Sequence, residues 1–143
     1  MSGLSRLGQT VTPSGVERLR VLVADDHPSV RENLRYLINA EEDMECIGVA
    51  KDGSRCVELC HELTPDVLVL DSDMPSVDGL RVLRHLAREL PGIQVVMYTV
   101  DSEICETARW YGAVACVLKD SPYELLVSAI RRAAHVPAGS ETH

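Results

Sequence analysis

The chain has 143 residues, enough for one domain that buries its core without a disulfide or metal staple. Apolar residues make up 45% of it but Phe is absent, so that core must be built from Val, Leu, Ile and Ala. A formal charge of −8 disfavours direct binding to a phosphate backbone, and no apolar run reaches the length of a membrane span.

Residues 1–18 are rich in Ser, Thr and Gly and lack the apolar stretch of a secretion signal, so a flexible tail is expected there. A second tail is expected over 137–143, PAGSETH, leaving one domain over 19–136. Short apolar runs predict strands at Leu19–Ala24, Cys46–Ala50, Asp66–Leu70, Ile93–Tyr98 and Val114–Leu118. They are Val-rich without strict alternation, as suits a parallel sheet covered on both faces.

The blocks between them carry helical spacing. Val30, Leu34, Leu37 and Ile38 make one stripe, and Leu80, Leu83, Ala87 and Leu90 another. Leu125, Leu126, Ala129, Ile130 and Ala133 form the last. Val57, Cys60 and Leu63 give a shorter stripe, and Ile104, Ala108 and Tyr111 the weakest. Asp78 stands where an N-cap belongs, Gly112 ends the fourth helical pattern, and Pro65, Pro91 and Pro122 mark block junctions. Five βα units follow, joined by right-handed crossovers. The cysteines, Cys46, Cys56, Cys60, Cys105 and Cys116, are odd in number and without framework spacing, so reduced core thiols in a cytosolic protein are expected. Cys56 and Cys60, four apart, can share one helix face.

Ligands of an open α/β sheet bind outside the carboxyl ends of its strands. Asp25 and Asp26 follow the first strand, Asp71, Ser72 and Asp73 the third, Thr99 and then Asp101 the fourth, and Lys119 the fifth. Clustered carboxylates repel one another unless a divalent cation neutralises them, and an all-oxygen set suits Mg²⁺. A carboxylate can accept a phosphoryl group as a nucleophile, while an ammonium and a hydroxyl hold the phosphoryl oxygens. One Asp after a strand is usually a solvated loop residue or a cap. The same residue classes at four strand ends are harder to read that way.

These residues carry a resemblance. The acidic pair of VADDHP, the acceptor of VLVLDSDMPSVDGL, the Thr of VMYTV, the GA of YGAVACVLKD and its Lys resemble, in order and spacing, the receiver domain of response regulators. The resemblance covers Leu19 to about Ala134. DDHPSVRENLRYLI and VLKDSPYELLVSAI are similar to the NarL-type subgroup, whose usual partner domain is a LuxR-type helix-turn-helix. It implies a flavodoxin-like (βα)5 three-layer sandwich with a five-stranded parallel sheet of order 2-1-3-4-5. It implies Asp71 as phosphoacceptor, Asp26 and Asp71 as direct Mg²⁺ ligands, Asp25 acting through water, and Asp73 contributing its backbone carbonyl. Thr99 matches the switch hydroxyl, Lys119 the phosphoryl-binding ammonium, and Pro75 and Gly79 the turn after Asp71. The implied protein is cytoplasmic and not an enzyme beyond its own phosphorylation and slow dephosphorylation. Its partners would be a sensor histidine kinase or phosphotransfer protein and a second copy of itself.

The sequence also departs from the family. The position three before the Lys usually holds Tyr or Phe, which moves inward with the switch hydroxyl; here it is Cys116. Tyr111 stands where a small residue is usual, and Trp110 precedes it as half-buried filler or as a surface anchor. Two other functions fit parts of the pattern. A receiver-like scaffold that is never phosphorylated would explain Cys116. A haloacid-dehalogenase-like phosphatase would share the DSD motif, but its DxD lies near the start of the domain rather than on the third strand.

Overall fold

The computed structural model describes residues 17–135. The tails expected over 1–18 and 137–143 fall almost wholly outside the described residues. Five strands and five helices alternate: β1 Leu19–Ala24, α1 Pro28–Asn39, β2 Met44–Ala50, α2 Gly53–Leu63, β3 Val67–Leu70, α3 Gly79–Glu89, β4 Gln94–Thr99, α4 Ile104–Trp110, β5 Ala115–Leu118 and α5 Tyr123–Ala133. All strand pairs are parallel, in the order β2-β1-β3-β4-β5. This is the flavodoxin-like sandwich expected from the sequence.

Side chains alternate across the sheet and divide the core in two. Leu22, Leu68, Leu70, Val95 and Met97 face α2, α3 and α4, packing against Cys56, Cys60, Val82, Leu83, Leu86 and Ala108. Val21, Val23, Val67, Val69 and Val96 face α1 and α5, against Leu34, Ile38, Leu126 and Ile130. Both faces of the central strands are therefore dry, which is why they read as unbroken apolar runs. Each fully buried Leu or Val contributes about 1.5–3 kcal/mol relative to exposure.

The helical stripes need some correction. In α3 the buried positions are Gly79, Val82, Leu83 and Leu86, while Ala87 faces outward. In α5 Leu125 is exposed and Val127 takes a place inside. Helix α4 is the shortest and buries only Ala108. Two Asp caps hold helix starts: Asp52 accepts from the Arg55 N–H at 2.8 Å and Asp78 from the Arg81 N–H at 3.0 Å.

The cysteine expectation is corrected in part. Cys105 of α4 and Cys116 of β5 are joined as a disulfide, with Cα atoms 5.5 Å apart. Helix and strand bring together two thiols that sequence spacing kept apart. Cys46, Cys56 and Cys60 are free, and Cys56 and Cys60 are fully buried on one face of α2. Trp110 is not half-buried filler: it is 71% exposed.

Candidate functional site

The carboxyl ends of β1, β3, β4 and β5 gather the chemistry at one edge of the sheet. Asp25 follows β1 directly, with its N–H bonded to the Ala50 carbonyl at 3.0 Å. Asp71 follows β3, with its N–H bonded to the Ala24 carbonyl at 2.9 Å. The sheet ladder itself thus aims both carboxylates into the same space. Lys119 is placed the same way, its N–H bonded to the Thr99 carbonyl at 2.8 Å.

Asp25, Asp71 and Thr99 are the buried polar residues of the described chain. Burying two carboxylates side by side is costly unless a cation answers them. Lys119 does so in part: its Nζ lies 2.6 Å from Asp25 Oδ2 and 3.5 Å from Asp71 Oδ2. Burial alone would lower the Lys119 ammonium, but the hydrogen bond to Asp25 and the charges of Asp25 and Asp71 raise it above its ordinary value. Asp71 remains short of compensation. Burial, then the Asp25 charge, push its carboxyl from 3.8 up to about 6 against the opposing pull of Lys119. The Lys119 ammonium at 3.5 Å is a longer contact for its Oδ2 than the 2.6 Å contact that the same ammonium makes with Asp25.

Asp26 is more open and shares His27 with Asp25. The ring Nδ1 lies 2.9 Å from Asp25 Oδ1 and 3.1 Å from Asp26 Oδ1. The hydrogen bond to Asp25 and the charge of Asp26 raise the His27 imidazole above 6.5. Ligand atoms of Asp25, Asp26, His27 and Asp71 lie within 4.8 Å of one another. A divalent cation fits this set, because it brings charge to two buried carboxylates that Lys119 answers only in part. The cluster contains the three carboxylates expected from the sequence, Asp25, Asp26 and Asp71. Asp73, expected to act through its backbone carbonyl, has an exposed side chain, and its N–H donates to Asp71 Oδ1 at 3.3 Å. His27 was not expected. Its only signal was its place after the acidic pair, where a loop residue is the ordinary reading.

Thr99 ends β4 with its hydroxyl 2.8 Å from Ser72 Oγ, and it accepts from the Asp101 N–H at 3.1 Å. Ser72 is thus a second hydroxyl at the site, one that the sequence placed after β3 without a task. The loop from Ser72 to Asp78 must fold back on Asp71. A Cβ at Gly79 would stand 2.2 Å from the Asp71 carbonyl oxygen, so only glycine allows α3 to start there. The Pro75 carbonyl accepts from the Gly53 N–H at 3.3 Å and fastens the loop to the start of α2.

The family model of the response regulator receiver domain matches residues 21–131. The chain is 40% identical over 121 residues to an uncharacterised transcriptional regulatory protein, YxjL, of Bacillus subtilis, covering 82% of this chain and 55% of that one. It is 41% identical to protein-glutamate methylesterase/protein-glutamine glutaminase 5 of Myxococcus xanthus, covering 83% of this chain and 38% of that one. The chain thus spans about half of these curated relatives or less. The signal receiver domain of the response regulator NarL from Mycobacterium tuberculosis has the same fold at 31% identity, with a TM-score of 0.77 over 82% of this chain and 96% of that one. The match over nearly the whole folded region, with the acidic edge in place, shows that the chain belongs to the response regulator receiver domains of two-component systems, in the NarL/LuxR-type group.

Proposed function

We propose that Asp71 accepts the phosphoryl group and that Asp25, Asp26 and Asp71 hold the Mg²⁺ that the transfer requires. The observation that carries this reading is the Asp71 carboxyl itself: buried beside the Asp25 carboxylate at the end of β3, within 3.5 Å of the Lys119 ammonium, and held up near 6. In the transfer an Asp71 carboxylate oxygen bonds to phosphorus as the bond from phosphorus to the donor's imidazole nitrogen breaks. The product is an acyl phosphate, and the imidazole takes a proton from solvent. Mg²⁺ would supply charge to the phosphoryl oxygens and lessen the repulsion between donor and acidic edge. Lys119, already between Asp25 and Asp71, holds a phosphoryl oxygen as a compact positive charge. Thr99 turns its hydroxyl from Ser72 to another. Asp73 contributes its backbone carbonyl to the metal shell.

The donor is a sensor histidine kinase or phosphotransfer protein in the cytoplasm, and the output is a changed contact with another domain or a second copy. No helix of the described residues is long and apolar enough to cross a membrane. The chain's own chemistry stops at phosphorylation and slow hydrolysis. Any further activity belongs to a domain joined to it, and the names of the relatives include both transcriptional regulators and a methylesterase.

Fluorine NMR of beryllofluoride, a phosphoryl mimic that needs a carboxylate, tests the assignment. A bound resonance should appear with Mg²⁺, be lost in Asp71→Asn and weaken severely in Asp26→Ala. A bound signal retained in Asp71→Asn would refute it.

A further inference from the structure

Helix α4 is weakly held. It has seven residues, one buried side chain, and an N-cap, Glu103, that makes no side-chain cap bond. It nevertheless begins just after the loop that leaves Thr99. Besides the packing of Ala108, a covalent bond fastens it to the sheet: Cys105 in its first turn is bonded to Cys116 on β5, beside Met97 of β4 and three residues before Lys119. Cys116 also occupies the position where this family usually has its moving aromatic ring. Cys105 and Cys116 are half-buried residues, whereas Cys56 and Cys60 are sealed in the core. The Cα separation of 5.5 Å lies inside the range a disulfide needs, so bond and dithiol can interchange without moving the backbone far.

We propose that Cys105 and Cys116 are a reversible dithiol–disulfide site whose oxidation clamps α4 onto β5 and weakens the response to phosphorylation. The co-reactant is a low-molecular-weight disulfide. One cysteine thiolate attacks it, forming a mixed disulfide and releasing one small thiolate. The second cysteine thiolate attacks the protein-bound sulfur of that mixed disulfide and releases the other. Two protein thiols and one small disulfide become one protein disulfide and two small thiols, the two cysteine protons ending on the released thiols. In the oxidised state the loop from Thr99 to Glu103 is anchored at both ends, by β4 and by the Cys105 bond. When Thr99 turns from Ser72 its hydroxyl also releases the Asp101 N–H, and the cross-link resists the loop movement that follows. Reduction frees α4 to follow. A modification shifts such an equilibrium only by favouring one arrangement over the other, and a cross-link made in one arrangement does so. The gating half of this inference rests on Asp71 as the acceptor.

The test uses the full chain equilibrated across glutathione redox buffers, with thiols trapped by alkylation and mapped by mass. A Cys105–Cys116 peptide should form and disappear reversibly, while Cys46, Cys56 and Cys60 stay alkylatable after unfolding. Beryllofluoride affinity with Mg²⁺ should then be at least about fivefold weaker in the oxidised protein than in the reduced one. Cys105→Ser should bind as the reduced protein does under both conditions, and Cys116→Ser repeats the control from the other side. Absence of the cross-link at every ratio, or equal affinities in the two states, would overturn the proposal. Absence of beryllofluoride binding in both states would refute the gating together with the Asp71 assignment, and the mass measurement would still decide the cross-link.

Discussion

Replacing Asp71 by Asn should make the metal-free protein more stable at neutral pH. The folded carboxyl is held near 6 by burial and by Asp25, against 3.8 in the unfolded chain. A carboxyl raised in the folded state binds its proton more tightly there than in the unfolded chain. Folding is therefore favoured at low pH, and that advantage is lost as pH rises from 3.8 through about 6. Above this window the ionised Asp71 costs about 3 kcal/mol. Asn keeps the size and polarity and removes the charge, so Asp71→Asn should gain up to about 3 kcal/mol near pH 8, less what the buried amide gives back. By about pH 4 most of that gain should vanish, because the native carboxyl is then protonated as well. Urea unfolding of both proteins in EDTA, at the two pH values, measures the difference as a shift in midpoint. Added Mg²⁺ should narrow it at high pH, since only the native site has its full set of carboxylates. Equal stabilities near pH 8, or a variant less stable than the native protein there, would refute the reasoning.

Lys119→Ala leaves two buried carboxylates without their shared ammonium, and should cost about 3–5 kcal/mol at neutral pH. The loss should shrink in acid as Asp71 takes up a proton, and the same unfolding experiment checks it. Mg²⁺ placed beside Asp25 and Asp26 should lower the raised His27 value towards 6.5, because a nearby cation disfavours the imidazolium; a proton NMR titration of the His27 ring reads this directly. Gly79→Ala drives a methyl into the Asp71 carbonyl, so it should destabilise the fold by about 1–3 kcal/mol or more and impair beryllofluoride binding. Trp110 fluorescence should change on adding beryllofluoride with Mg²⁺ to reduced protein, and Thr99→Ala should abolish most of the change.

The sheet was legible because its central strands are dry on both faces, which leaves Val and Leu runs that nothing else in the chain imitates. The acidic edge was legible for a related reason. A strand end fixes where the next residue points, so the sequence alone groups Asp25, Asp71, Thr99 and Lys119 at one edge. Helix α4 read poorly in sequence, and the structure gives the cause: with only Ala108 buried, it has almost no apolar stripe to show. Nor could the sequence reveal the Cys105–Cys116 bond. The two residues lie eleven apart on a helix and a strand, and their meeting depends on the turn through Tyr111 and Gly112, where φ is +113°. His27 was missed because its pairing with Asp25 and Asp26 is made by the loop conformation, which spacing does not encode. Trp110 could have been filler or anchor by its type alone, and only the placement of α4 turned it outward.

The central claim is that one carboxyl, Asp71, receives the phosphoryl group. Incubation with acetyl phosphate and Mg²⁺, followed by peptide mapping in a mass spectrometer, tests it most directly. One phosphoryl group should appear on the peptide carrying Asp71, require Mg²⁺, and be absent from Asp71→Asn. Undiminished labelling of Asp71→Asn at Asp25, Asp26 or Asp73 would contradict the account.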